Sequence, residues 1–459
     1  MTRIDILPDE LLLEIFDFYV GMRSWYRGKT GVEEWQSLIH VCRRWRTLVF
    51  ESPRRLNLLL CCTPDTPLKD ALDVWPALPL IVRGSMISSM TNNIIAAFGQ
   101  SNRVCRVQLW DLTDWQLEQV LAAMQVPFPE LTDLRLRRSA GETMPAIPDS
   151  FLDGSAPSLR SFTLDGIPFP GLPKLLLSAT HLVHIALTDI PHSEYISPEA
   201  TIALISVLSS LEWFTLGFEF PQSRPDHEAR LSPPSNRSVL PSLCHFYFQG
   251  VIEYLEDLVA CIDAPQLDKL HIRFFNQIDF DTPRLTQFIN RTPKSGKREA
   301  IVQFNDHFSR VQLSPGILEI TILCRELNQQ LSSIVRVCNS SLDPLFTVED
   351  LYIEHPYLLL VLEDGAIEST LWLQLLLPFT GVKNLYLSKE FAPGIAAALQ
   401  ELVGSRITEV LPSLQNIFVK GLEPSGPFQE KIGQFVAARQ LSECPITISG
   451  CDSYWCRSS

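Results

Sequence analysis

The sequence holds no run of about eighteen apolar residues, the length a helix needs to cross a bilayer. Its longest candidates, 357–362 and 371–379, are strand- or helix-sized, so we expect no membrane span. No secretory leader is evident, because Asp5, Asp9 and Glu10 interrupt the start before an apolar core forms. The usual motifs of catalysis are missing. There is no Gly-x-Ser-x-Gly, no His-Glu-x-x-His and no glycine-rich dinucleotide loop, so nothing proposes a nucleophile or an acid–base pair. The triplet Gly28-Lys29-Thr30 lacks the strand and glycine spacing that a phosphate-binding loop needs. His181 and His184 have no ligand cluster beside them in sequence, and Cys444, Cys451 and Cys456 lack paired zinc spacing. We therefore expect no metal, no cofactor and no enzyme. Positive charge is short as well. Lys and Arg number 38 against 52 Asp and Glu, for a net charge of −14. That argues against nucleic acid or an anionic membrane as a partner of the whole surface.

What is present suits a folded chain of several domains. It has 459 residues, 46% of them hydrophobic and 20% charged, enough for about three domains. The eleven cysteines are scattered, and Cys105, Cys244 and Cys324 sit in apolar stretches. Buried free thiols are expected rather than disulfides, which suits a cytoplasmic or nuclear protein.

Residues 4–50 carry the densest local pattern. Pro8 suits a first helical position, where a missing N–H costs nothing. Asp9 and Glu10 follow at the positive end of the helix dipole. Leu11, Leu12, Ile15, Phe16 and Tyr19 fall at helical spacing and predict one broad apolar stripe. A second helix is expected over 33–50, with Trp35, Leu38, Ile39, Cys42, Trp45 and Val49 on its apolar side, after a loop at 21–34. So small a module cannot bury these side chains within itself. It must lean on the rest of the chain or on a partner.

From residue 104 onward a second pattern recurs, with apolar residues at offsets of zero, three and five. Instances begin at Val104, Leu131, Leu159, Leu182, Leu211, Leu243 and Leu267, stepping by 27, 28, 23, 29, 32 and 24. After a gap they resume at Val348, Val382 and Leu414, stepping by 34 and 32. Helix-like stretches at 115–124, 198–208, 253–262 and 395–404 lie between. One strand and one helix at such a period is the mark of a leucine-rich-repeat solenoid, whose units bury their apolar faces only by stacking. The Asn or Cys expected eight residues after the first leucine is replaced by Ser139, Ile167, Ile190, Glu219, Val251 and Phe275. We therefore expect no side-chain ladder along the turns. The gap reads as strands at 300–304, 308–313 and 318–324, in a hairpin or meander, then a helix at 328–338. A basic loop is expected at 291–298, a proline-rich loop at 221–238 and a capping helix at 430–439.

Two motifs together carry a family resemblance. The run Leu7-Pro8-Asp9-Glu10-Leu11-Leu12-Leu13-Glu14-Ile15-Phe16, with the later Val41-Cys42-Arg43-Arg44-Trp45, resembles the F-box. Over most of its length the chain resembles the fungal F-box proteins with an irregular leucine-rich-repeat domain. The fold so implied is α/β: a small all-helical F-box, then an irregular repeat solenoid with a parallel sheet. The segments are 1–50 F-box, 51–100 joint packed on the first repeats, 101–273 first solenoid part, 274–347 irregular insertion, 348–422 last solenoid part and 423–459 cap and tail. The resemblance implies a substrate-recognition adaptor of a Skp1–cullin–F-box ubiquitin ligase. Leu7, Pro8, Leu11, Ile15, Phe16, Val41 and Trp45 would face the Skp1-like partner, and through it a cullin. A non-degradative interaction scaffold is the alternative. The protein substrate is not named by the sequence.

In such a solenoid the residues between the core positions line the concave sheet face. They include Arg106, Trp110, Arg135, Arg137, Trp213, His245, Tyr247, Lys269, His271, Arg273, Tyr352 and Tyr386. Trp, Tyr and Arg dominate interface hot spots. A basic-aromatic face on an acidic chain would suit an acidic or phosphorylated peptide as ligand; the alternative is a solvated sheet face whose aromatics are partly covered by insertions.

Overall fold

The computed structural model describes the chain except residues 1–6, 24–33, 54–55, 57, 66–77, 87–90, 140, 142–144, 170–173, 192–195, 220–236, 276–279, 281, 293–298, 315–317, 341–342, 356–367, 403, 423–426 and 452–459. The Gly28-Lys29-Thr30 triplet, the apolar run at 357–362, most of the expected loops at 21–34, 221–238 and 291–298, and the end of the tail lie outside the described residues. Two compact units emerge, 1–211 and 212–459.

The first unit opens with three helices, α1 (Asp9–Arg23), α2 (Glu34–Ile39) and α3 (Arg43–Glu51). The Pro8 carbonyl accepts from Leu12 N–H at 3.1 Å, so Pro8 caps α1 instead of standing first within it. The single helix expected over 33–50 is two. Cys42 is extended (φ −158°, ψ 171°) and separates them. The break is tolerated because Arg46 Nε donates to the Ile39 carbonyl at 3.1 Å, supplying a partner that a continuous helix would have given. Leu12, Leu13 and Phe16 of α1 are buried, as are Trp35, Leu38 and Ile39 of α2 and Leu48 and Val49 of α3. Trp35 Nε1 donates to the Leu59 carbonyl at 2.9 Å, tying α2 to the chain that enters the sheet.

That sheet runs β1 (Leu60–Cys62), β2 (Leu80–Ser85), then helix α4 (Thr91–Phe98), β3 (Val104–Leu112), α5 (Asp114–Ala123), β4 (Asp133–Arg138), β5 (Ser161–Asp165), α6 (Lys174–Ser178), β6 (His184–Ile190) and α7 (Pro198–Ile205). The strands from β1 to β6 pair in chain order, each parallel to the next. The joint at 51–100 thus supplies the first two strands of the sheet itself. Helix starts are fixed locally. Thr113 and Gln116 form a reciprocal capping box on α5, and Ser197 accepts from Ala200 N–H ahead of Pro198 on α7.

The second unit holds β7 (Trp213–Phe218), β8 (Ser238–Val239), β9 (His245–Gly250), α8 (Ile252–Ala260), β10 (Ile262–Asp263), β11 (Lys269–Phe275), α9 (Pro283–Arg291), β12 (Glu299–Phe304), β13 (Phe308–Ser314), β14 (Leu318–Leu323), α10 (Leu327–Ser340), β15 (Asp350–Glu354), α11 (Ser369–Leu376), β16 (Asn384–Leu387), α12 (Ala392–Gln400), β17 (Asn416–Lys420), α13 (Pro427–Leu441) and β18 (Thr447–Cys451). Its sheet has the order β7-β9-β11-β14-β13-β12-β15-β16-β17-β18. The segment 274–347 inserts a meander into it. β12 and β14 are antiparallel to β13, while β14 lies parallel to β11 and β12 parallel to β15. The helix expected to cap the chain is α13, but β18 follows and pairs parallel with β17 as the last strand.

The core positions read from the sequence hold throughout. At offsets zero, three and five of the ten repeats, no side chain is more than 3% exposed. A further core position lies three residues before each start from 131 on. There the N–H of the first apolar residue closes a turn onto a buried residue: Phe128, Ala156, Ala179, Leu208, Leu240, Ala264, Leu345, Phe379 and Leu411. Each repeat therefore enters its strand through a short turn that is itself part of the core. Among the described residues, no helix is long and apolar enough to cross a membrane.

Candidate functional site

Two surfaces gather the residues singled out in the sequence. The first is on the helical module. The face of α1 divides sharply: Leu12, Leu13 and Phe16 are buried, while Leu11 (46%), Ile15 (44%) and Phe18 (66%) are exposed. Residues 11, 15 and 18 fall at i, i+4 and i+7, so they form one stripe along the helix. Val41 is 58% exposed in the turn before α3. Arg44, three residues on, reaches back to the head of α1. Its Nη2 donates to the Leu7 carbonyl at 2.6 Å and lies 2.5 Å from Asp9 Oδ1. Pro8 is exposed, and Leu7 and Trp45 are half-buried. Phe16 corrects the expectation. Its ring is wholly buried, 4.7 Å from the Trp45 ring, so it supports the surface and does not lie on it. Phe18 was overlooked in the sequence, although its helical spacing from Leu11 was legible.

The second surface is the sheet face formed between core positions. In the first unit its cations are largely neutralised within the fold. Arg135 lies 3.3 Å from Asp133 and Arg137 lies 3.1 Å from Asp165. Arg106 stands beside Asp133 in register, and Trp110 is half-buried with the Arg83 guanidinium 5.6 Å from its ring. Burial, with Arg135 adding to it, holds the His184 pKa below its ordinary value.

In the second unit, parallel register places equivalent residues side by side, about 4.8 Å apart across the sheet. Trp213 lies flat on His245, with 3.5 Å between centroids and 5° between planes. Tyr247 donates its hydroxyl to Gln249 Oε1 at 3.2 Å. Lys269 is exposed, and His271 and Arg273 are half-buried on β11. Further along, Tyr352, Tyr386 and Phe418 stack in series at 4.3 Å and 4.7 Å. Burial raises the pKa of both tyrosines, with Asp350 and Glu299 adding to it. Beside them runs a polar chain. Asn384 Nδ2 donates to Asp350 Oδ1 at 2.7 Å, Asn416 Nδ2 to Asn384 Oδ1 at 2.7 Å, and Thr447 Oγ1 to Asn416 Oδ1 at 2.5 Å. A side-chain ladder therefore exists on the sheet face, and at the turns Ser139 Oγ donates to the Leu112 carbonyl at 3.0 Å. The meander adds a network that no repeat pattern marked. Arg310 Nη1 lies 3.2 Å from Glu319, its Nε donates to Gln303 at 3.1 Å, and Gln303 donates to Glu354 at 3.0 Å.

Among the described residues no group of three or more His, Cys, Asp or Glu is placed to hold a metal ion. Burial pushes the thiols of Cys62 and Cys338 up to about 12, which leaves them as inert core groups.

The chain matches no family model and no curated protein. Among solved structures it is similar to the leucine-rich repeat-containing protein LegL7 from Legionella pneumophila. The identity is 14%, over 82% of this chain and 97% of that one, with a TM-score of 0.27.

Proposed function

We propose that the chain is a non-catalytic adaptor: the helical module docks on a Skp1-like protein, and the repeats hold a protein substrate for a cullin-based ubiquitin ligase. The observation that carries the reading is the stripe of Leu11, Ile15 and Phe18. It is left on the surface of a helix that buries Leu12, Leu13 and Phe16. Three large apolar side chains on one exposed stripe favour a partner. They fall within the Leu-Pro-x-Glu-Leu-Leu-Leu-x-Ile-Phe run that resembles the F-box. The exposed aromatic and cationic residues of the sheet face suit the second half of the task. Catalysis would come by proximity, the adaptor raising the effective concentration of a target lysine near the charged conjugating enzyme.

The test is co-expression with Skp1 and co-purification, for the native chain and for Leu11→Glu with Ile15→Lys. The native chain is expected to hold Skp1 in a stable complex. The double variant is expected to lose it while keeping its circular dichroism spectrum. A folded native chain that ignores Skp1 would sink the adaptor reading. Substrate-dependent ubiquitination then separates a ligase subunit from a scaffold.

A further inference from the structure

The cations of the sheet face do not all share one fate. Arg135 and Arg137 have carboxylates on the same face, and Arg310 has Glu319. On β11 the pattern differs. Lys269, His271 and Arg273 alternate with buried Leu270, Ile272 and Phe274, so all three project from one side of one strand. In register beside them stand His245, Tyr247 and Gln249 on β9, and Glu319 and Thr321 on β14. Glu319 is the one carboxylate in register with them, and it is engaged by Arg310 and Thr321; Asp268 and Glu212 lie near enough to act on His245. Among the described residues neither Lys269 nor Arg273 has an ion pair, in a chain of net charge −14.

Two buried polar atoms sit in this group without a hydrogen-bond partner, Arg273 Nε and His245 Nδ1. A buried donor on a guanidinium is costly to leave unmade. Trp213, flat on His245 and 43% exposed, walls one end with an apolar surface.

The spacing selects the kind of ligand. Side chains on one side of a strand repeat at about 6.7 Å, and an extended peptide has the same repeat on its own side. A peptide lying along β11 would therefore present one side chain to each of Lys269, His271 and Arg273 if its anionic residues stand at alternate positions. Nucleic acid is disfavoured by the acidity of the chain as a whole.

We infer that β11 and its neighbours form a docking site for an extended peptide segment that carries anionic side chains, carboxylate or phosphoryl, at every second residue. The inference rests on the reading that the repeats hold a protein partner, and it is independent of the helical module.

The experiment uses the full chain alone, without Skp1, so that its outcome is separate from that of the docking test. Fluorescent alanine-based peptides are titrated by anisotropy. They carry three glutamates at alternate positions, three contiguous glutamates, three alternate phosphoserines, or no charge. Alternate glutamates are expected to bind about tenfold more tightly than the uncharged peptide, and more tightly than contiguous ones. Lys269→Gln and Arg273→Gln should each lower that affinity about tenfold, the scale of one charge-assisted hydrogen bond. Arg137→Gln, whose cation is paired with Asp165, should leave it unchanged. Tighter binding of phosphoserine than of glutamate would assign the natural source as phosphoryl, and the reverse would assign carboxylate. Should Arg273→Gln fail to fold, the exposed Lys269 carries the test. Equal binding of alternate, contiguous and uncharged peptides would overturn the inference. So would affinity that survives both substitutions.

Discussion

Leu11 and Leu12 are adjacent in the chain and about 100° apart around one helix, yet the first is 46% exposed and the second 0%. The same side chain therefore has two jobs. Leu12→Ala should destabilise the helical module by about 3 kcal/mol, the usual cost of a cavity left by a buried leucine. Leu11→Ala should change stability by less than about 0.5 kcal/mol while weakening capture of a partner. Urea denaturation of both variants checks the contrast, and equal losses would show that the exposed stripe belongs to the core.

Acid should weaken the fold through two histidines. Burial lowers the His184 pKa, with Arg135 adding to it. Burial also lowers that of His245, with Lys269 and His271 acting in the same sense and Asp268 and Glu212 against. A folded-state pKa below the unfolded one means that folding favours the neutral ring. The contribution is whole above about pH 6.5 and is lost as the pH falls through the lowered values. The melting temperature should therefore drop between pH 7.5 and 5.5. In His184→Phe with His245→Phe, which keeps an aromatic ring on Trp213, the drop should shrink. An unchanged slope would remove these two groups from the account.

The aromatic series on the sheet face makes Tyr386 its central member, stacked on Tyr352 at 4.3 Å and on Phe418 at 4.7 Å. Tyr386→Ala deletes two stacks and Phe418→Ala deletes one. With each stack contributing about 1 kcal/mol, the first variant should be the less stable by about that amount. Chemical denaturation of the two variants measures the difference. A Phe418→Ala loss as large as that of Tyr386→Ala would mean that the rings do not act in series.

Arg439 on α13 is fully buried, and it serves backbone and not a carboxylate. Its guanidinium donates to the carbonyls of Ile407, Leu411, Pro412 and Leu414 at 3.1–3.4 Å. Burial lowers its pKa. Arg439→Ala should cost about 3 kcal/mol, from the cavity and the stranded carbonyls together. Arg439→Lys should recover only part of that, since a lysine lacks the planar fork. A loss below about 1 kcal/mol in calorimetry would show that water replaces the guanidinium freely.

Helix α9 begins without a cap from its own chain neighbours, and Glu256 on α8 supplies one. Its carboxylate accepts from Arg284 N–H at 3.0 Å and Leu285 N–H at 2.8 Å, while Arg284 lies 2.7 Å from Asp257. Glu256→Ala should cost about 1–2 kcal/mol, the scale of a lost N-cap. Urea midpoints test it, and a neutral outcome would move the cap elsewhere.

One-dimensional periodicity was legible in the chain alone. Offsets of zero, three and five mark strands because alternate residues must be buried together, and Val104 through Val419 obey that rule in every repeat. The helices at α5, α7, α8 and α12 followed from the same logic at a longer period. So did the strands of the meander, although not their order in the sheet. What tertiary structure decided was every choice between chemically equal alternatives. Leu11 and Leu12 read alike until packing buried one of them. Phe16 read as a surface residue until Trp45 closed over it. The break at 40–42 was hidden because the partner for the Ile39 carbonyl is a side chain, Arg46. Arg137 and Arg273 are both arginines between core positions, and only strand register brings Asp165 to the first and no carboxylate to the second. The Asp165 that pairs with Arg137 lies a repeat away in the chain. Its identity as the partner is fixed by which strands lie side by side, and that is a property of the assembled sheet.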